Sequence, residues 1–257
     1  MSAATLLDAL PVDVFIVFAV FCRVGAFFMT APAFGDFSLS PRFRLAAALA
    51  TSAALAPAAA SAFPDWARSA DVAAMSAIIA GEILAGGFLG LAARIFMSAL
   101  NVAGQIIAMQ TGLSLAQAFD PSQELQGAII GGFLAVLGTT MVFATDLHHL
   151  LLRAIADSYA LAAPGAFAIG DMSEAIVAAL SQAFSLGLRL AAPFILFGLV
   201  LYAAGGVLNR LMPQAQVFFM LMPANLIVGI LLLMLTTGLI MMAFLSSFEE
   251  FLSGFLR

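Results

Sequence analysis

The residues in this chain best suited to chemistry are ionisable groups set inside apolar runs. Arg23, Glu82, Arg94 and Arg189 each interrupt a long, nearly uncharged stretch, and Asp146-Leu147-His148-His149 forms a cluster in another. Charges in such surroundings are costly, so they mark function or pairing. On a helix, Asp146, His149, Arg153 and Asp157 fall at i, i+3, i+7 and i+11, one face on which charges of alternating sign support each other. That face could carry a proton relay, or it could be the polar stripe of a helix emerging toward solvent or a neighbouring subunit. Metal binding has less support. His148 and His149 are adjacent, about 100° apart around a helix, and no Cys or Glu completes a ligand set. Neither a Gly-rich phosphate loop nor a nucleophile elbow is present. No nucleophile is matched with a base, so no enzyme, cofactor or metal is expected.

The elements that must position these groups are apolar helices. Of 257 residues, 64% are hydrophobic and only 9% charged, against roughly a quarter charged in ordinary soluble domains. A soluble fold of this size needs a charged skin that the sequence lacks, and disorder is excluded by the same apolar content. All nine basic residues are arginine and the net charge is −5, which offers no footprint for nucleic acid. The single cysteine, Cys22, cannot form an internal disulfide. No positive region precedes the first apolar run, so insertion by uncleaved segments is expected.

Uncharged runs predict six long helices, at about 11–34, 45–63, 72–114, 125–159, 175–208 and 216–248. Breaks are expected at Pro32, Pro41, Pro64, Pro121, Pro164 and Pro213, because proline has no amide hydrogen and forces its predecessor out of the helical region. Pro193 and Pro223 sit within apolar helix and predict kinks or helix starts. The third run would be roughly 60 Å long as one helix, twice the hydrocarbon thickness. Either it breaks near its glycines or much of it packs on protein outside lipid. Gly86 and Gly90 have the small-xxx-small spacing that lets helix backbones approach. Arg42, Arg44 and Arg210 place the first and fifth loops inside.

The stretch from Gly104 to Pro121, GQIIAMQTGLSLAQAFDP, carries three glutamines, Gln105, Gln110 and Gln117, among apolar and small residues. Amides are costly against lipid, so the segment faces protein or a water-filled lumen. It reads either as a re-entrant, constricting element or as a plain helix end and turn. Methionines 212, 220, 222, 234, 241 and 242 crowd the last third, as an adaptable interaction surface or as plain core.

Five stretches, in order, resemble the FliR/SctT family of export-apparatus proteins: Arg23 to Leu49, Gly81-Glu82, Gly104 to Pro121, Leu147 to Gly165, and Asn209 to Leu233. The likeness runs over about Phe15 to Phe248, and the flagellar branch fits best. It implies an all-α, integral-membrane-type protein: a FliP-like part over 1–172 followed by a FliQ-like helical hairpin over 173–257. It implies a structural and gating subunit of a type III protein export channel in the bacterial inner membrane, at the flagellar basal body. The implied partners are FliP and FliQ in a hetero-oligomeric gate, FlhB on the cytoplasmic side, and unfolded export substrates in transit.

In that family the loop between the third and fourth helices helps plug the pore. The matching positions are Gly112, Leu113, Leu115, Phe119, Asp120 and Pro121. Family members carry phenylalanines in this loop at a three-residue spacing, where this chain has Leu115 and Ala118, so the implied plug is smaller and less aromatic. Leu113, Leu115 and Phe119 would form an apolar constriction that blocks ions by dewetting. Arg23, Arg42, Arg44, Glu82, Gln105, Gln110, Arg189 and Arg210 are the candidate subunit contacts. The alternative is a stand-alone membrane solute transporter or channel that uses the mid-segment charges.

Overall fold

The computed structural model describes residues 3–35, 40–63, 72–113, 126–161, 163–164, 169–212 and 217–255. Among them there are seven α-helices, one short 3-10 turn and no strand. The helices are α1 (Ala3–Thr30), α2 (Pro41–Ala59), α3 (Val72–Gln110), α4 (Gln126–Ala144), α5 (Leu147–Leu161), α6 (Ile169–Leu211) and α7 (Val217–Phe255), with the 3-10 turn at Ala60–Ala62. The all-α fold expected from the apolar runs is therefore present.

Several boundaries follow from local chemistry. α1 stops at Thr30, before Ala31-Pro32. Ser40 caps α2, accepting the Phe43 N–H on its side chain at 3.3 Å, with Pro41 at the first helical position. Pro193 and Pro223 lie inside the continuous helices α6 and α7. In these apolar helices many hydroxyls bond back to their own turn, as Thr51 does to the Ala47 carbonyl at 2.8 Å and Thr236 to Leu232 at 2.7 Å.

Two expectations change. The fourth run is not one helix: α4 and α5 meet at a 76° bend. Asp146 adopts a left-handed backbone, φ 59°, which ends one helix and starts the next. Aspartate tolerates that region better than most residues, so the break falls on an acidic residue within the apolar run. The third run, in contrast, does not break at all. α3 is one helix of 39 residues.

The chain divides into two compact units that interleave along the sequence. The first comprises 1–95, 146–179 and 251–257; the second comprises 96–145 and 180–250. This division by packing is of a different kind from the sequential one at 172/173. In the first unit, the core includes Val20, Val24, Phe27, Ile78, Leu151 and Ile155. Gly86 and Gly90 seat the α1 backbone on α3. A Cβ on Gly86 would collide with the Arg23 carbonyl oxygen, and one on Gly90 with Thr30 Oγ1 and, at 2.7 Å, the Ala31 nitrogen. The small-xxx-small spacing is thus a crossing point, which is why its glycines do not act as breakers.

The second unit uses the same device. Gly104 on α3 meets Gly131 on α4 backbone to backbone, and Gly187 on α6 lies against the Ala99 carbonyl and Val102. Phe96, Phe244 and Phe248 form an aromatic cluster with centroids 5.7–6.5 Å apart.

Among the described residues, four helices are long and apolar enough to cross a membrane, or five if the bent α4–α5 pair counts as one. Only 17–22% of the residues in their most apolar windows are buried within the chain. Leu196, Leu199, Val200 and Leu211 on α6, and Ile227, Leu231, Met234 and Leu235 on α7, are exposed. Apolar surface on this scale is a contact face for lipid or for other protein.

Candidate functional site

Arg23 and Glu82 form a closed pair inside the first unit. The guanidinium donates from Nε to Glu82 Oε2 and from Nη2 to Oε1, both at 2.8 Å, a bidentate fork. Nη1 donates to Ser158 Oγ at 3.0 Å, and Ser158 in turn donates to the Ile155 carbonyl at 2.6 Å. The Tyr159 hydroxyl donates to Glu82 Oε2 at 3.3 Å while its ring lies 3.9 Å from the guanidinium carbon. That stacking adds a cation–π contact. Arg23 is 0% exposed and Glu82 1%. The two were expected as subunit contacts, but at this burial their polar atoms face each other rather than a neighbour.

Helix spacing explains the assembly. Gly86 lies one turn beyond Glu82 and lets the α1 backbone come close enough for Arg23 to reach it. Moving two charges out of water costs several kcal/mol each. The fork, the serine and the tyrosine offset that cost, so the network holds three helices in one register.

A second polar arrangement lies at the end of α3, in the second unit. Thr111 donates its hydroxyl to the Ile107 carbonyl at 2.9 Å. Gly112 follows with φ 77° and donates its N–H to the Met109 carbonyl at 3.3 Å, a left-handed C-cap. Asn225 on α7 reaches across, its Nδ2 donating to the Gln110 carbonyl at 3.1 Å. Gly112 and Leu113 are half-buried at this root. Leu115, Phe119, Asp120 and Pro121 lie outside the described residues.

The histidine pair is closer together than its sequence spacing suggests. One ligand atom from each of Asp146, His148 and His149 falls within 4.8 Å of the others. The imidazole rings are 4.1 Å apart, and His149 Nδ1 is 3.7 Å from Asp146 Oδ1. Both histidines lie on α5, where their side chains bring the rings together despite the roughly 100° between their positions, and the left-handed turn at Asp146 brings its carboxylate to the first turn of that helix. Both pairs of the expected stripe are within reach of each other, Asp146 with His149 and Arg153 with Asp157 at 3.3 Å, all on exposed side chains.

Of the other expected contact residues, Arg42, Gln105, Arg189 and Arg210 are exposed, and Arg44 and Gln110 are half-buried. They are not brought together into one site. Ser158, Tyr159 and Asn225 were not singled out. The signal for Asn225 was an amide in the middle of an apolar run, the argument already applied to Gln105 and Gln110.

The chain matches the family model described as bacterial export proteins, family 1, over residues 14–251. It is 38% identical over 244 residues to the flagellar biosynthetic protein FliR of Caulobacter vibrioides, covering 95% of this chain and 96% of that one. It is 29% identical to the protein of the same name from Aquifex aeolicus, over 91% of this chain and 89% of that one. The corresponding Escherichia coli protein is 31% identical, over 82% of this chain and 80% of its own. By a match that spans nearly its full length, and with helices long and apolar enough for a membrane, the chain belongs to the bacterial export proteins of family 1.

Proposed function

We propose that the chain is a structural subunit of the flagellar type III protein export gate in the bacterial inner membrane. The observation that carries this reading is the near full-length likeness to proteins named flagellar biosynthetic protein FliR. In this reading it assembles with FliP and FliQ and associates with FlhB. Residues 1–172 form the FliP-like part and 173–257 the FliQ-like hairpin. The exposed apolar faces of α6 and α7 support such an assembly, since neighbouring subunits would cover what the chain leaves bare.

The loop over 112–121 acts at the pore, with Leu113, Leu115 and Phe119 as its apolar constriction and Gly112, Asp120 and Pro121 shaping its ends. Arg42, Arg44, Gln105, Gln110, Arg189 and Arg210 serve subunit contacts. The chain conducts unfolded substrates and catalyses nothing.

Deleting the gene should abolish flagellar filaments, and normal filaments in the deletion strain would overturn the assignment. Removing residues 113–119 should raise passive ion leak through the assembled gate while export partly survives. Unchanged leak would remove the constriction role but not the subunit assignment. A stand-alone transporter has weaker support, because Arg23 and Glu82, its best mid-segment charges, are bonded to each other.

A further inference from the structure

We propose that Asn225 is a latch that fixes the root of the 112–121 loop through the last carbonyl of α3, with Gly198 and Gly229 as the seats that hold Gln110 and Thr111 beside it. This inference rests on the reading that the loop acts at the pore.

A helix leaves its final carbonyls without intrahelical partners. Water fills that need at a surface, but here the end of α3 is packed among apolar helices. The Asn225 amide meets it, Nδ2 donating to the Gln110 carbonyl at 3.1 Å. The residue is a poor choice for any other purpose. It is 5% exposed, in the interior of α7, where asparagine is an indifferent helix former. Its Oδ1 has no hydrogen-bond partner among the described residues. Burying the whole amide for one bond returns less than an apolar side chain of the same shape would, so the bond itself is the reason for the amide.

The neighbours on either side of the latch are also fixed. Gly229 lies one turn beyond Asn225 on α7, the same face. A Cβ there would collide with Thr111 Cγ2 and come within 2.8 Å of Thr111 Cβ. On α6, a Cβ on Gly198 would collide with Gln110 Oε1. Two glycines on two helices thus make room for the two residues that precede Gly112. Gly112 then turns the chain at φ 77°. The direction in which the loop leaves α3 is therefore set by α6 and α7. Asn225 acts by positioning; it need not touch a passing substrate.

The test compares full-length variants in the assembled export apparatus, reading passive monovalent-cation leak and the amount of complex together. Asn225→Leu keeps the branched heavy-atom shape and removes the donor. It should leave the amount of complex unchanged and raise leak about threefold, the factor carried by an average membrane-embedded hydrogen bond. Gly229→Ala, which pushes on Thr111 without touching the amide, should raise leak similarly. Gly238→Ala, on the same helix with nothing within 4 Å of the added Cβ, should not. Wild-type leak in Asn225→Leu overturns the latch, provided that deletion of 113–119 does raise leak. If that deletion leaks no more than wild type, the pore role of the loop fails and the latch with it. Should Asn225→Leu fail to accumulate, Gly229→Ala decides: a tight gate overturns the proposal, a leaky one supports it.

Discussion

The Arg23–Glu82 pair in one unit and the Gln110–Asn225 contact in the other are both polar joints between apolar helices, yet they are built oppositely. The first is charged and bidentate, and it is braced by a serine and a tyrosine. Breaking it strands a buried charge. The second is a single neutral bond at the end of a helix, beside a left-handed glycine. Breaking it strands a carbonyl. The difference is between a joint that cannot open without great cost and one whose strength is comparable to thermal energy. A charged fork suits a fixed scaffold, whereas a single neutral bond makes a joint that opens at low cost.

The comparison can be broken most directly at Glu82. Glu82→Ala leaves the Arg23 guanidinium buried without its carboxylate, which costs about 3–5 kcal/mol. The folded chain should fall to a small fraction of wild-type level, read as tagged protein surviving mild-detergent extraction. Accumulation at the wild-type level would show that the pair is not a fixed joint. Replacing both partners by Met and Leu should restore much of the loss, since an apolar pair avoids the desolvation penalty.

Next in size is the crossing that delivers Arg23. Gly86→Val pushes a branched side chain against the Arg23 backbone, an overpacking cost of about 1–3 kcal/mol. Its neighbour Gly87 has nothing within 4 Å of an added Cβ. Gly87→Ala should instead be neutral or stabilising by up to about 1 kcal/mol, because alanine is the better helix former. Thermal unfolding of the two variants in detergent should move the midpoint in opposite directions.

A smaller effect is expected from Tyr159→Phe. The ring over Arg23 remains and one long hydrogen bond to Glu82 goes, about 1 kcal/mol. A loss as large as that of Glu82→Ala would mean that the hydroxyl, not the fork, holds the joint. The smallest effect belongs to Arg153→Ala. Its pair with Asp157 is exposed, so the change should be about 0.5 kcal/mol or less and shrink further in high salt.

Much of the architecture was legible in the sequence because it follows from local rules. The apolar runs gave the helices, and Pro32 and Ser40-Pro41 gave two of their ends, while α3 stops at Gln110, before the expected end near 114. Gly86 and Gly90 were visible as a close-packing pattern, though not as the seat of α1. Less of the site was legible. Arg23 and Glu82 stood out as costly residues, but they are 59 positions apart, and spacing along the chain carries no information on such a pairing. Asp146 was read as one more helical residue, since its left-handed turn depends on how α4 and α5 each pack. That turn brings the Asp146 carboxylate to the histidine pair.

The sequence by itself determined that this chain is a set of apolar helices too poorly charged to stand alone in water, because composition and period-3.6 patterning act within a few residues of each position. Only the tertiary structure decided which charges are spent on internal pairing and which amide holds the end of α3. Those outcomes depend on where glycines let backbones approach, and on which side chain happens to lie within 3 Å or so of another once they do. No local rule reaches that far.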